Sequence, residues 1–171
     1  MKYCDPGAIR IAATAQDFAQ AQALFEEYAK TLAIDLAFQG FAEELATLPG
    51  AYAPPRGMLM LAGPRDAAIG CVALRPLLAD ASVTGATGLR ELTAEMKRLY
   101  IRPTARGTGL GRRLVQSVID GARAMGYREI KLDTLEQMAE ARSLYADLGF
   151  RECAPYYHNP NAGTAYMALQ L

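Results

Sequence analysis

The stretch Arg106-Gly107-Thr108-Gly109-Leu110-Gly111 stands between two segments of different period. Before it, Leu92 to Ile101 reads as a long strand, closed by Pro103. After it, Gly109 to Met125 reads as a helix. Leu110, Leu114, Val115, Val118, Ile119 and Ala122 share one face, and Gly126 sits where a C′ glycine ends such a helix. A glycine turn from strand to helix lets successive backbone N–H groups face one point. The helix start adds unpaired donors and the positive end of its dipole. This suits a pyrophosphate. Nearby charge agrees: Lys97, Arg98, Arg102, Arg106, Arg112 and Arg113 lie between Lys97 and Ile119, with no acid in the interval. Arg112 and Arg113 fall in the first helical turn, where cations oppose the dipole unless an anion is bound. The competing reading is a solvated basic face beside an ordinary glycine turn. Two other phosphate motifs fit less well. Counted from Gly107, the third glycine of a dinucleotide fingerprint would be Arg112, and a Walker loop would need Gly-Lys-Ser/Thr where Gly111-Arg112-Arg113 stands.

Working outward, Ile130 to Leu132 reads as a short strand. Gln137 to Leu148 reads as a helix with Ala141, Leu144, Tyr145 and Leu148 on one side and Gly149 as its stop. Phe150 to Cys153 and Thr164 to Leu169 read as final strands. Toward the N-terminus, Ile9 to Ala13 alternates like a strand, and Thr14 with Asp17 forms a capping box for a helix carrying Phe18, Ala21, Leu24, Phe25 and Tyr28. Phe41, Leu45 and Leu48 suggest a second helix, stopped by Pro49-Gly50. Met58 to Ala62 and Ile69 to Leu74 read as a hairpin, and Asp80 to Gly88 as a loop. The order β-α-α-β-β-β-α-β-α-β-β is an α/β mixture around one sheet.

Composition bounds the rest. The 171 residues suit a single domain, 1–171, large enough to bury a core without disulfides. A hydrophobic share of 51% with 21% charged excludes disordered, collagen-like and coiled-coil classes. Lys+Arg and Asp+Glu are both 18, a balance that argues against a general nucleic-acid binder. Cys4, Cys71 and Cys153 have neither zinc nor disulfide spacing, which fits a reducing compartment. With no signal-peptide core and no membrane-length apolar run, a cytoplasmic location is expected.

Arg106-x-x-Gly109-x-Gly111 resembles the Q/R-x-x-G-x-G/A acetyl-CoA signature of the GNAT N-acetyltransferases. Ala141-Arg142-Ser143-Leu144-Tyr145, followed by Leu148-Gly149-Phe150, resembles the family's A-x-x-L-Y…GF segment. The likeness is specific from about Glu91 to Phe150. It implies a mixed sheet whose two central strands splay apart, flanked by helices, with acetyl-CoA as cosubstrate in the gap and no metal. By position, the backbone N–H groups of Gly107, Thr108, Gly109, Leu110, Gly111 and Arg112, in the motif that Arg106 opens, would hold the pyrophosphate. Leu99-Tyr100-Ile101 would pair with the pantetheine arm, and an amide near Leu99 would polarise the thioester carbonyl. One departure is Met138, where the family often has an asparagine that contacts CoA.

Transfer to an amine needs a neutral amine, hence a base, and the departing thiolate is helped by an acid. Glu95, on the strand leading to the loop, is the candidate base; its alternative role is an ion pair with Lys97, on its own face, or Arg98. The resemblance makes Tyr145 the candidate acid, whereas its helical position alone suggests a core tyrosine. His158 is either an acceptor-site residue or an exposed loop histidine, and Cys71 reads as core. The resemblance implies a small-molecule or peptide amine as acceptor, which the sequence does not identify further, and no nucleic acid or membrane partner is expected. Between Thr14 and Gly50 lie six acids (Asp17, Glu26, Glu27, Asp35, Glu43, Glu44) and one base, Lys30. They form either an acidic wall for a cationic amine or an ordinary solvated face. Many members of the family dimerise, and no dimer signal stands out, so a homodimer is left open. Two rivals also stay open: a non-catalytic acyl-CoA-binding or sensing domain on the same fold, and an unrelated phosphate-ligand binder using the glycine loop alone.

Overall fold

The computed structural model describes residues 7–32, 34–78 and 89–171. Its seven strands are β1 (Ile9–Ile11), β2 (Met58–Ala62), β3 (Gly70–Leu78), β4 (Leu89–Ile101), β5 (Glu129–Leu135), β6 (Arg151–Glu152) and β7 (Thr164–Gln170). They form one mixed sheet in the order β1-β2-β3-β4-β5-β7-β6. The helices are α1 (Ala15–Leu32), α2 (Phe41–Ala46), α3 (Leu110–Ala124) and α4 (Ala139–Asp147). The loop expected over Asp80–Gly88 lies outside the described residues. Among those described, no helix is long and apolar enough to cross a membrane.

The sheet is covered on both faces, which is why Met58–Ala62 is apolar at every position rather than at alternate ones. Met58, Met60 and Ala62 join the core under α3, with Leu114, Val115 and Val118. Leu59 and Leu61 join the core under α1, with Leu24 and Phe25. Helix ends follow the local signals. The Asp17 N–H donates to Thr14 Oγ1 at 3.1 Å, and the Thr14 N–H donates back to Asp17 Oδ2 at 3.2 Å. Gly126, at φ 84°, closes α3, with the Tyr127 N–H reaching the Ala122 carbonyl at 3.0 Å. Strand β5 runs to Leu135, beyond the predicted Leu132. Polar Asp133 and Thr134 are carried in the ladder by pairing with Tyr166 and Ala165 of β7.

The feature that positions the site is the parallel contact between β4 and β5. It pairs only Thr93–Glu95 with Glu129–Lys131. Beyond Glu95, β4 continues with β3 and β5 continues with β7, so the sheet opens between them. A bulge marks the divergence. Cys71 pairs with Tyr100 and Ala73 with Lys97, which sets Val72 against two residues, Arg98 and Leu99. Arg98 has φ 59°, the only positive φ among the described non-glycine residues. A non-glycine residue in this region costs about 1–3 kcal/mol and needs surrounding structure to hold it. Arg98 has that support: its Nε and Nη2 donate to the Glu44 carboxylate of α2 at 2.9 and 2.8 Å, and its guanidinium lies 5.1 Å from the Phe41 ring centre.

Candidate active site

Three cavities run in series through the opening. The first is a cleft of about 780 Å³ at the end of β4 and the start of α3. Leu99, Tyr100, Ile101, Arg106, Gly107, Gly109, Leu110, Gly111 and Arg112 all line it. Thr108 does not; its hydroxyl donates to the Ala105 carbonyl at 2.8 Å and ties the loop to the turn before it. Gly107 and Gly109 have φ of 75° and 79°, with no atom within 4 Å of where a Cβ would stand. Glycine is needed there for backbone conformation, not for space. The ladder of α3 starts with the Arg113 N–H donating to Gly109 O, so the N–H groups of Leu110, Gly111 and Arg112 precede it. The residues present therefore fit a diphosphate: a glycine nest, a helix start without a side-chain cap, and room above both. Met138 also lines the cleft, presenting a thioether where an amide was the family expectation.

The basic block seen in the sequence does not all face this loop. Arg98 is spent on Glu44 and Arg102 on Glu27, at 2.8 and 2.6 Å, while Lys97 lies 2.9 Å from Asp133. Arg102 and Glu44, read as parts of opposite charge blocks, are thus each held by a partner from the other block. Near the glycines stand Arg106, whose Nε donates to Ile101 O, and Arg112, which pairs with Asp147 at 2.7 Å. The acidic wall is reduced in the same way: Asp17, Glu27 and Glu44 are each paired with an arginine.

The second cavity is a narrow waist of about 70 Å³. Leu99, Met138 and Ala141 line both it and the cleft, and it adds Tyr145, Leu132 and Asp133. Tyr145 is 7% exposed, with its ring 5.8 Å from that of Phe150, so it is at once a core residue and part of the waist wall. Burial pushes its phenol well above the ordinary value, which keeps the proton on the oxygen.

The third cavity, about 330 Å³, lies beyond the waist and shares Gln39 and Lys97 with it. Glu95 is in its wall, 2% exposed, opposite Arg75 in the β3–β4 register. Arg75 donates from Nε and Nη2 to Glu95 Oε2 at 2.8 and 2.7 Å, and Tyr156 donates from its hydroxyl to Oε1 at 3.0 Å. Lys97 stands 3.5 Å from the same Oε1. The ion pair weighed for Glu95 therefore exists, but Arg75 is its main partner, Lys97 is at longer range, and Arg98 is paired elsewhere. Asp133 continues the network, accepting from Lys97 at 2.9 Å and from the Tyr157 hydroxyl at 2.7 Å. Burial alone would raise its carboxyl, but the Lys97 ammonium and these bonds outweigh it, and the carboxyl lies below its ordinary value. Tyr156 is raised by burial and by the adjacent Glu95 carboxylate.

Arg75, Gln39, Tyr156 and Tyr157 were not singled out by the sequence. The one available signal was a charged Arg75 inside the apolar run Cys71–Leu78. His158 is exposed and belongs to a separate surface hollow with Asn161 and Thr164. Cys71 is core, under α1.

Residues 19–150 match the Acetyltransferase (GNAT) family. An uncharacterized N-acetyltransferase from Schizosaccharomyces pombe is 39% identical over 159 residues, covering 91% of this chain and 90% of that one. Among solved structures, an acetyltransferase from Streptococcus agalactiae superposes with a TM-score of 0.75 at 22% identity, covering 98% of this chain and 99% of the other. A Salmonella typhimurium acetyltransferase solved with its cofactor acetyl-CoA superposes with a TM-score of 0.64 at 20% identity, covering 97% and 94%. These two share the overall fold. The family match spans most of the chain, and the yeast relative is covered nearly end to end, so the chain belongs to the GNAT family of acetyltransferases.

Proposed function

We propose that this acetyltransferase moves an acetyl group from acetyl-CoA to a primary amine by direct transfer in a ternary complex. The observation that carries this reading is the continuity of the three cavities: cleft and waist share Leu99, and waist and third pocket share Gln39 and Lys97. Two ligands entering from opposite sides of the split sheet would meet at the waist. Acetyl-CoA supplies an activated thioester; the rest falls to the chain. The loop from Gly107 to Arg112 binds the diphosphate, and the Leu99–Ile101 edge of β4, which β5 leaves unpaired, holds the pantetheine arm. Tyr145 is the acid. It keeps its proton in the buried waist and donates to sulfur as charge develops there. Glu95 is the base, and the 3.5 Å contact from Lys97 is the one an incoming amine displaces. Direct transfer is favoured over an acetyl-cysteine route because Cys71 is sealed in the core under α1, where burial pushes its thiol up.

The test is a panel of small amines and peptides incubated with acetyl-CoA, read as free thiol release and acetylated product. Turnover of at least one amine supports transfer. CoA binding by calorimetry with no turnover across the panel marks a sensing domain instead. No CoA binding at all removes the whole reading. For an active pair, Glu95→Gln should flatten the acidic limb of the kcat/KM profile; an unaltered profile returns Glu95 to a structural role.

A further inference from the structure

The pocket beyond the waist has its own chemical character. Phe38, Pro76, Leu77 and Tyr156 give it apolar walls, and at about 330 Å³ it takes a molecule of amino-acid size. Three charged side chains line it: Arg75, Glu95 and Lys97. They differ in reach. The Glu95 and Lys97 side chains are 3% and 6% exposed, whereas Arg75 is 31% exposed. A ligand in this pocket therefore meets the guanidinium first. Arg75 uses Nε and one N–H of Nη2 on Glu95, which leaves three of its five N–H donors outside that pair. The Glu95 pair also fixes the plane of the guanidinium, as a receiver for a carboxylate or similar anion needs.

A second, independent feature lies at the waist end of the same pocket. Among the described residues, Gln39 Oε1 is the one buried side-chain nitrogen or oxygen with no hydrogen-bond partner. Its orientation is fixed by its neighbour. The single hydroxyl hydrogen of Tyr157 goes to Asp133 Oδ2 at 2.7 Å, so that oxygen can only accept from Gln39. Gln39 meets it with Nε2, at 3.3 Å, and the amide oxygen is left as the unpaired atom. A buried acceptor in the wall shared by pocket and waist calls for an N–H donor, which an incoming amine carries.

Building on the N-acetyltransferase reading, we propose that the acceptor is a compact primary amine bearing a carboxylate or comparable anionic group. The anion sits against Arg75, and the amine nitrogen donates to Gln39 Oε1. A polyamine would instead bring a second cation to the guanidinium, and an amine lacking the anion would leave Arg75 without a ligand partner. The anion holds the apolar part of the acceptor against Phe38 and Leu77 while its amine points to the waist.

The experiment compares matched acceptors: leucine, leucinamide and spermidine, by thiol release at saturating acetyl-CoA. Leucine should exceed leucinamide in kcat/KM at least tenfold, with spermidine slower still. Arg75→Gln should bring the leucine-to-leucinamide ratio to within threefold of one, and Arg75→Lys should restore part of it. Gln39→Leu should raise KM for leucine and leucinamide alike, by tenfold or more, with a smaller change in kcat. Circular dichroism checks each variant's fold; where Arg75→Gln does not fold, the wild-type ratio decides. Equal or faster turnover of leucinamide or spermidine overturns the anionic acceptor and leaves N-acetyl transfer standing. CoA binding without turnover of any amine overturns both.

Discussion

The cleft and the pocket proposed for the acceptor sit on either side of one opening in the sheet and are built by different means. The part of the cleft proposed to hold the diphosphate comes from one continuous segment, Leu99 to Arg112, and would bind through main-chain amides, while Tyr28, Leu32, Met138 and Ala141 complete the walls. The pocket is assembled from Phe38–Gln39, Arg75–Leu77, Glu95, Lys97 and Tyr156–Tyr157, and its binding groups are side chains in one hydrogen-bonded network. A site made of backbone tolerates most side-chain changes and fails at its glycines. A site made of a network fails wherever one partner is lost.

The largest effect is therefore expected at a glycine. Gly109→Glu should lower CoA affinity roughly a thousandfold, about 4 kcal/mol, by placing a carboxylate in the anion nest. A Cβ at this position meets nothing within 4 Å, so the fold should survive, at about 1–2 kcal/mol for a side chain at φ 79°. Gly109→Ala separates the two terms: it should show the stability loss with most of the affinity retained. Calorimetric titration that finds wild-type CoA binding in Gly109→Glu would move the diphosphate site away from this loop.

The contrast also explains what could be read in the sequence. Gly107, Gly109, Gly126 and Gly149 announce themselves because the turn and caps they make are local. The same holds for the Thr14–Asp17 capping box and the α3 stripe. Arg98 and Glu44 are 54 positions apart, and their pairing needs the bulge in β4. The bulge is in turn a matter of register against β3, which no local pattern records. Two charge blocks that looked like separate surfaces thus meet as partners. Tyr156 and Tyr157 sat next to the flagged His158, yet only the fold distinguishes the two facing inward from the one exposed.

Glu44→Ala probes the strut between the two regions. It removes one partner of a pair in which the Arg98 side chain is 3% exposed and Glu44 11%. Breaking such a pair costs about 3 kcal/mol, because a buried guanidinium is left uncompensated at a residue already in a strained conformation. Urea unfolding should show that loss with an unchanged m-value. Destabilisation below 1 kcal/mol would mean that the bulge is held by the sheet alone.

Tyr145→Phe tests the meeting point. Its expected signature is a roughly hundredfold fall in kcat, about 2.7 kcal/mol in the barrier, with CoA affinity within twofold of wild type. Unchanged turnover would leave Tyr145 as packing for Phe150.

Asp17 belongs to neither site and sets the range over which their pH profiles can be read. Burial alone would raise its carboxyl, but the Ala13 N–H, Arg10 and Thr14 together bring it from 3.8 to about 2. The folded state thus favours the ionised form. The resulting stability, about 2 kcal/mol, is fully present above pH 4 and is lost as pH falls from there toward 2. Asp17→Asn should remove this dependence in chemical denaturation at pH 6 and pH 3. Rate loss below pH 4 therefore includes a contribution from lost stability.

The smallest effect belongs to the ion pair between Arg112, beside the nest, and Asp147. Both side chains are about half exposed, 50% and 58%, so solvent screens the pair and it adds little to stability. Its importance is competitive. Asp147 holds the Arg112 guanidinium at 2.7 Å, and an arriving phosphate must draw it away or bind without it. Asp147→Asn should therefore leave the unfolding midpoint unchanged and tighten CoA binding about twofold to threefold at low salt, with the gain shrinking as salt is added. Weaker binding in Asp147→Asn would mean instead that Asp147 orients Arg112 for the phosphate. The backbone nest would then depend on one side-chain pair, and the contrast between the two regions would be narrower than their construction suggests.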